Sequence, residues 1–87
     1  MKVRFGELVR QHRERSGMNK QTFAERVGID PSYLRLIEKG EATSPSALIV
    51  ACMVEVLHLN PFEAVTLLKT LREDAKNEDE APRLEAI

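Results

Sequence analysis

Apolar residues recur along the chain at the three- and four-residue spacing that places side chains on one face of an α-helix. No segment shows the strict alternation of a β-strand. In the first segment this spacing selects Phe5, Leu8, Val9 and His12. The pattern predicts five helices, at about residues 4–16, 20–27, 31–39, 45–57 and 61–73. The expected fold class is therefore all-α, a compact domain of five helices joined by short turns.

The predicted helices begin and end at recognisable capping residues. Three predicted helix starts consist of a residue whose side chain can accept a hydrogen bond at the N-cap, followed by a proline. Proline suits the first helical position because the N–H group that it lacks has no partner within the helix there. These pairs are Asp30-Pro31, Ser44-Pro45 and Asn60-Pro61, and Asn19 is expected to cap helix two. Three stops fall at glycines, which adopt the left-handed conformation without a Cβ penalty. These glycines are Gly17, Gly28 and Gly40.

Each predicted helix has a short apolar stripe for the core. The side chains expected to point inward from helices two, three and five are Phe23, Ala24, Val27, Leu34, Ile37, Phe62, Val65, Leu68 and Leu71. Eighty-seven residues with 43% hydrophobic content are enough for one small core. We therefore expect a single folded domain over residues 1–72.

The charge is distributed unevenly. Through Arg72 there are eleven Lys and Arg against eight Asp and Glu, a net charge of +3; the rest of the chain has six acids against Lys76 and Arg83, a net charge of −4. Residues 73–87 also have few apolar side chains and a proline, and are expected to form an acidic, disordered tail. The overall charge of −1 does not by itself favour nucleic acid.

Several classes of protein are disfavoured by composition. The chain has neither the apolar core of a signal peptide nor a run of about 20 apolar residues, so we expect a cytoplasmic protein with no membrane partner. Cys52 is the one cysteine, and neither His12 nor His58 has neighbours that suggest a triad or metal site. We expect no enzyme activity, no metal, no cofactor and no small-molecule ligand.

Helices two and three are joined only by the tripeptide Gly-Ile-Asp, the layout of a helix-turn-helix. The stretch MNKQTFAERVGIDPSYLRLIEKGEATSPSALIVACMVEVLHLNP resembles the lambda-repressor and Cro (Xre-type) DNA-binding family, and the resemblance covers about residues 4–70. It rests on an arginine late in helix one, a small residue in helix two, the turn glycine and the closing Ile-Glu-Lys-Gly. These structural positions are Arg13, Ala24, Gly28, Glu38 and Gly40.

The resemblance implies an Arg13–Glu38 ion pair and assigns DNA contacts to two helices. Helix three, the recognition helix, would face the major groove, and the start of helix two would meet a phosphate. The implied contacts with double-stranded DNA are Lys20, Gln21, Ser32, Tyr33, Arg35, Leu36, Lys39, Thr43 and Ser44. The chain departs from the family at Pro31 and Leu36, where relatives often have long polar side chains, although Leu36 could contact a thymine methyl group.

Helix four is too apolar for one amphipathic face. With Val50, Met53, Val54 and Leu57 in the core, the surplus is Leu48, Ile49, Cys52 and Val56. Helix five could cover it, but we favour a homodimer built on helices four and five. The implied function is a dimeric, sequence-specific transcription regulator, a repressor at a palindromic operator. The alternative is a protein-interaction module of the same fold, an antirepressor or adaptor, that binds DNA weakly or not at all.

Overall fold

The computed structural model describes residues 3–42 and 45–78, and within them the chain forms five helices and no strand. The helices are α1 (Val3–Arg15), α2 (Lys20–Val27), α3 (Pro31–Lys39), α4 (Ala47–Leu57) and α5 (Pro61–Glu78). The predicted all-α fold class and helix order are confirmed. In the described part of the chain, none of these helices has the length and apolar character needed to cross a bilayer.

Helices α2 and α3 begin at the predicted N-cap residues, Asn19 and Asp30. Asn19 Oδ1 accepts the Thr22 N–H at 2.8 Å, and Asp30 Oδ1 accepts the Ser32 N–H at 2.7 Å. Both helices end at glycines with positive φ, 93° at Gly28 and 80° at Gly40. A residue with a Cβ would be strained there, so the two glycines set where these helices stop.

The predicted start of α4 is wrong. Helix α4 begins at Ala47, and Ser46 is its N-cap, with Ser46 Oγ accepting the Ile49 N–H at 3.2 Å. Pro45 is buried and precedes the helix. The cap is therefore the serine after Pro45 and not the predicted Ser44 before it, so Pro45 is not the first helical residue.

Helix α5 continues past its predicted end at Glu73 and reaches Glu78. Asp74 is buried, and its Oδ2 accepts the Phe5 N–H at 3.0 Å, so a residue of α5 caps the first turn of α1. The first six residues of the predicted tail are therefore helical. The division of the chain at residue 72 stays a prediction, and residues 79–87 lie outside the described part.

The prediction that Phe62, Val65 and Leu68 point inward is wrong, because these side chains are 80%, 50% and 48% exposed. Helix α5 instead buries the face that contains Leu67, Thr70 and Asp74, with Leu71 partly buried beside it. Two polar groups on this face have hydrogen-bond partners: Thr70 Oγ1 donates to the Leu67 carbonyl at 2.7 Å, and Asp74 Oδ2 accepts the Phe5 N–H. These hydrogen bonds offset part of the cost of burying polar groups on the stripe that faces α1.

The core joins all five helices. It consists of Phe5, Val9, Phe23, Ala24, Val27, Leu34, Ile37, Val50, Met53, Leu57 and Leu67. Helices α1 and α3 meet at Gly6, where a Cβ would overlap the Ile37 carbonyl oxygen and lie 2.9 Å from that of Glu38. Only glycine allows the backbones to approach this closely, and the close approach holds the end of α3 against α1.

Candidate nucleic-acid interface

The turn between α2 and α3 places the two helices across each other. The Gly28 N–H and the Ile29 N–H both bond to the Ala24 carbonyl, at 2.8 and 3.0 Å. Ala24 is fully buried where the helices meet, so its small side chain leaves room for α3. This is the geometry of a helix-turn-helix, in which the second helix is offered to a partner along its outer face.

Helix α3 divides into a buried and an exposed side. Leu34 and Ile37 are in the core, and Tyr33 is half-buried against it. The exposed side carries Ser32, Arg35, Leu36 and Lys39, with Pro31 at the first helical position. Arg35 and Lys39 are four residues apart and lie on one stripe, while Leu36 is the apolar member of the surface. The outer face of α3 therefore combines cations, a hydroxyl group and one leucine.

Arg13 and Glu38 form the expected ion pair, and both are buried. Arg13 Nε donates to Glu38 Oε2 at 2.7 Å and Nη2 donates to Oε1 at 3.1 Å, while Nη1 donates to the Met18 carbonyl at 2.9 Å. The hydrogen bond to Glu38 is the main cause that raises the pKa of Arg13. The pair fixes the end of α3 to α1 and satisfies the Glu38 carboxylate inside the protein.

The N-terminus of α2 lies open beside α3. The Asn19 side chain and carbonyl accept the N–H groups of Thr22 and Phe23. The preceding N–H groups, those of Lys20 and Gln21, have no partner within an α-helix, and both residues are exposed. Thr43 and Ser44, the other predicted contacts that follow α3, lie outside the described residues.

Four cationic side chains from three helices line one open cavity of about 230 Å³. We call it the basic cavity; its lining residues are Arg10 of α1, Lys20 of α2, and Arg35, Glu38 and Lys39 of α3. Sequence reasoning missed Arg10. The signal was present, because Arg10 is three residues before Arg13 and so lies on the side of α1 that faces α3.

Apolar side chains are also exposed on α4 and α5. Leu48 of α4 is 73% exposed, and Ile49, Cys52 and Val56 are half-buried, so α5 does not cover the predicted surplus of α4 completely. Helix α5 adds three exposed apolar side chains that were predicted to lie in the core. We use the name apolar surface for the exposed side chains Leu48 of α4 and Phe62, Val65 and Leu68 of α5, which belong to two separate helices.

A family model described as a helix-turn-helix domain matches residues 4–64, more than half of the chain. The chain belongs to the helix-turn-helix domain family. The domain is also similar to the crystal structure of the restriction-modification controller protein C.AhdI from Aeromonas hydrophila, with 28% identity and a TM-score of 0.66. That match covers 72% of this chain and 94% of the controller protein. No curated protein matches the chain.

These matches confirm the resemblance to the repressor and Cro (Xre-type) family and the assignment of this helix-turn-helix domain to the DNA-binding transcription regulators. The matched range runs from Arg4, the second residue of α1, through the first turn of α5. It therefore contains the crossed helices α2 and α3 and every residue that lines the basic cavity.

His12 of the helix-turn-helix domain is held by its neighbours in α1 and α5. His12 is buried, and Arg15 Nη2 lies 2.7 Å from its Nδ1, which accepts because arginine only donates. Burial lowers the pKa of His12, Arg15 lowers it further, and Glu63 opposes them. Arg15 also pairs with Glu63 at 3.3 Å, and Glu63 Oε1 accepts the Asn60 N–H at the start of α5. His12 thus takes part in joining α1 to α5.

Proposed function

We propose that this helix-turn-helix domain is a sequence-specific transcription regulator that represses by occupying an operator. Its outer α3 face would enter the major groove, where each base pair has its own pattern of donors and acceptors. The observation that carries the proposal is the exposed face of α3, which includes Arg35 and Lys39 and lies beside two further cations, Arg10 of α1 and Lys20 of α2. The protein would act by binding in the cytoplasm, without catalysis.

The contacts divide into those that position the protein and those that distinguish sequences. Lys20 and Gln21 would bind a phosphate at the N-terminus of α2, where free N–H groups and the helix dipole favour an anion. Ser32 and Tyr33 would reach base edges from the first turn of α3, and Leu36 would pack against a thymine methyl group. Further predicted phosphate contacts are Lys39 at the end of α3 and, after it in the sequence, Thr43 and Ser44.

We also propose that the protein binds as a symmetric dimer. One short recognition helix reaches only a few base pairs, and Pro31 and Leu36 offer no bidentate contact, so two copies are needed for a useful affinity. The apolar surface, together with the predicted interface residues Ile49, Cys52 and Val56, supports this pairing. A two-fold axis would then require a palindromic site with half-sites roughly 34 Å apart.

The DNA-binding proposal is tested by selecting duplexes from a random library with the purified protein at low salt. We expect enrichment of a palindrome, and fluorescence anisotropy should show that it binds at least about 10³-fold more tightly than a random duplex. Ser32→Ala should reduce that ratio, because it removes a hydroxyl group from the groove-facing turn. Enrichment of no sequence would contradict the proposal.

The dimer proposal is tested by sedimentation equilibrium. Wild-type protein should sediment as a dimer, and Phe62→Glu should yield a folded monomer, because the side chain is exposed and a buried carboxylate at the interface would be costly. Glu55→Gln, an exposed change on α4, is the control and should remain dimeric. A monomeric wild type that binds the palindrome tightly would refute the model.

One observation favours the alternative, a protein-interaction module with weak DNA binding. The two departures from the family's polar pattern, Pro31 and Leu36, are both exposed on the outer face of α3. An exposed leucine there would suit an apolar partner surface as well as a thymine methyl group. The selection experiment separates the two functions, since a module that contacts only protein would enrich no DNA sequence.

A further inference from the structure

The basic cavity contains an unusual concentration of positive charge. Arg10, Lys20, Arg35 and Lys39 line the same small opening although they come from three different helices. All four residues are exposed at its rim. Like charges gathered in this way repel each other, so the arrangement favours binding of an anion that relieves the repulsion.

The acid in the cavity lining does not supply that anion. Glu38 also lines the basic cavity, but both of its carboxylate oxygens accept from Arg13, at 2.7 and 3.1 Å, on the protein side. Its negative charge is thereby balanced by a fifth cation. The cavity therefore keeps an excess of positive charge, and the free N–H groups at the start of α2 add to it beside Lys20.

We propose that the basic cavity binds one phosphate group of the DNA backbone and that Arg10 of α1 is a DNA contact. The inference rests on the proposed DNA-binding function and extends it to a helix outside the helix-turn-helix. Arg10 and Arg35 supply planar guanidinium groups that match phosphate oxygens in pairs, while Lys20 and Lys39 add point charges. A phosphate held between α1, α2 and α3 would fix the angle at which α3 enters the groove.

Arg10→Gln tests the proposal, with Arg26→Gln as the matched control. Arg26 is exposed on α2 and is not part of the cavity lining, so both variants lose the same charge from the same domain. Binding to a short random-sequence duplex is followed by fluorescence anisotropy between about 50 and 200 mM salt. Loss of one phosphate contact should lower the slope of log K against log salt by about 0.9 and weaken binding about tenfold near 100 mM.

The expected result is a smaller slope for Arg10→Gln alone, with far-UV circular dichroism showing that both variants are folded. Arg10→Lys should keep the slope, because it keeps the charge. Equal slopes for Arg10→Gln and Arg26→Gln would overturn the inference while leaving DNA binding in place. Failure of the wild-type protein to bind the duplex at about 50 mM salt would instead refute the proposed function itself.

The basic cavity could equally receive its phosphate group from a free anion in solution, so a second experiment distinguishes the two sources. Inorganic phosphate is titrated into the wild-type protein, and the Nε–H signal of Arg10 is followed by NMR. Displacement of bound phosphate by the duplex supports the assignment to the DNA backbone. Saturation by inorganic phosphate that the duplex does not reverse would assign the cavity to a small anion and overturn the inference.

Discussion

Replacing Glu38 with alanine should lower the free energy of unfolding by about 3 kcal/mol, because the change leaves a buried guanidinium group without its carboxylate. The Arg13 and Glu38 side chains are only 6% and 3% exposed, so water cannot replace the missing partner. The pair differs in this respect from the exposed ion pairs of the protein, such as Arg4 with Glu73, which contribute about 0 to 1 kcal/mol each.

The size of the loss in the free energy of unfolding depends on the partners that Arg13 retains in the variant. Breaking a buried ion pair by removing one partner costs about 3 to 5 kcal/mol. Arg13 retains the Met18 carbonyl at 2.9 Å, and the exposed Glu14 carboxylate is 3.8 Å away and can approach. These partners place the cost at the lower end of the range. For a domain of this size, a loss of about 3 kcal/mol corresponds to a fall in melting temperature of roughly 12 to 24 °C.

The assay is urea unfolding followed by far-UV circular dichroism. Glu14→Ala is the matched control, since it removes an exposed carboxylate near the same arginine, and it should change stability by about 0.5 kcal/mol or less. The double variant Arg13→Met with Glu38→Leu should recover most of the loss, because it removes both charges. A loss below about 1 kcal/mol for Glu38→Ala, or no recovery in the double variant, would refute the reasoning.

Four further predictions follow from single positions. Arg35→Ala should weaken binding by about 1 to 3 kcal/mol on selected and random duplexes alike, because Arg35 lines the basic cavity; a loss confined to the selected duplex would place it on a base edge instead. Leu68→Glu should remain folded in thermal melts because its side chain is half-exposed, whereas Leu67→Glu should unfold the fully buried position; equal melting temperatures would contradict this. Gly6→Ala should cost about 3 kcal/mol in urea unfolding, since its Cβ would overlap carbonyl oxygens, and a wild-type midpoint would show that α1 can shift. The pKa of His12 is lowered in the folded protein, so its contribution to stability is present above pH 6.5 and is lost as pH falls below it; melting temperatures between about pH 7.5 and 5.5 should fall less steeply in His12→Gln.

The helix-turn-helix could be predicted from the sequence because its signals are local. Asn19 and Asp30 cap helices through N–H groups two or three residues away, and Gly28 and Gly40 end them through their own φ angles. These effects act within one helical turn, so they depend only on residues that are close together in the sequence. The Arg13–Glu38 pair was also found, although its members are distant in sequence, because the resemblance to a known family supplied the contact.

The tertiary structure alone decided which face of α5 is buried. The apolar stripe with Phe62 and Leu68 is a regular helical pattern, but α5 turns the stripe with Leu67 and Asp74 inward. Asp74 is buried because its carboxylate accepts a hydrogen bond from the Phe5 N–H in α1, near the other end of the chain. A periodic pattern identifies a helix and its possible faces, but the choice between faces depends on groups that another helix presents.

The candidate site follows the same division. The outer face of α3 and the N-terminus of α2 were predictable, since each is set by one helix and its cap. The basic cavity was not, because it exists only where α1, α2 and α3 converge and bring Arg10 beside Arg35 and Lys39. The sequence determined the order of the helices and the residue types on the outer face of α3. Packing determined which charged residues lie close enough to interact electrostatically, because that interaction depends on the distances between side chains that are far apart in the sequence.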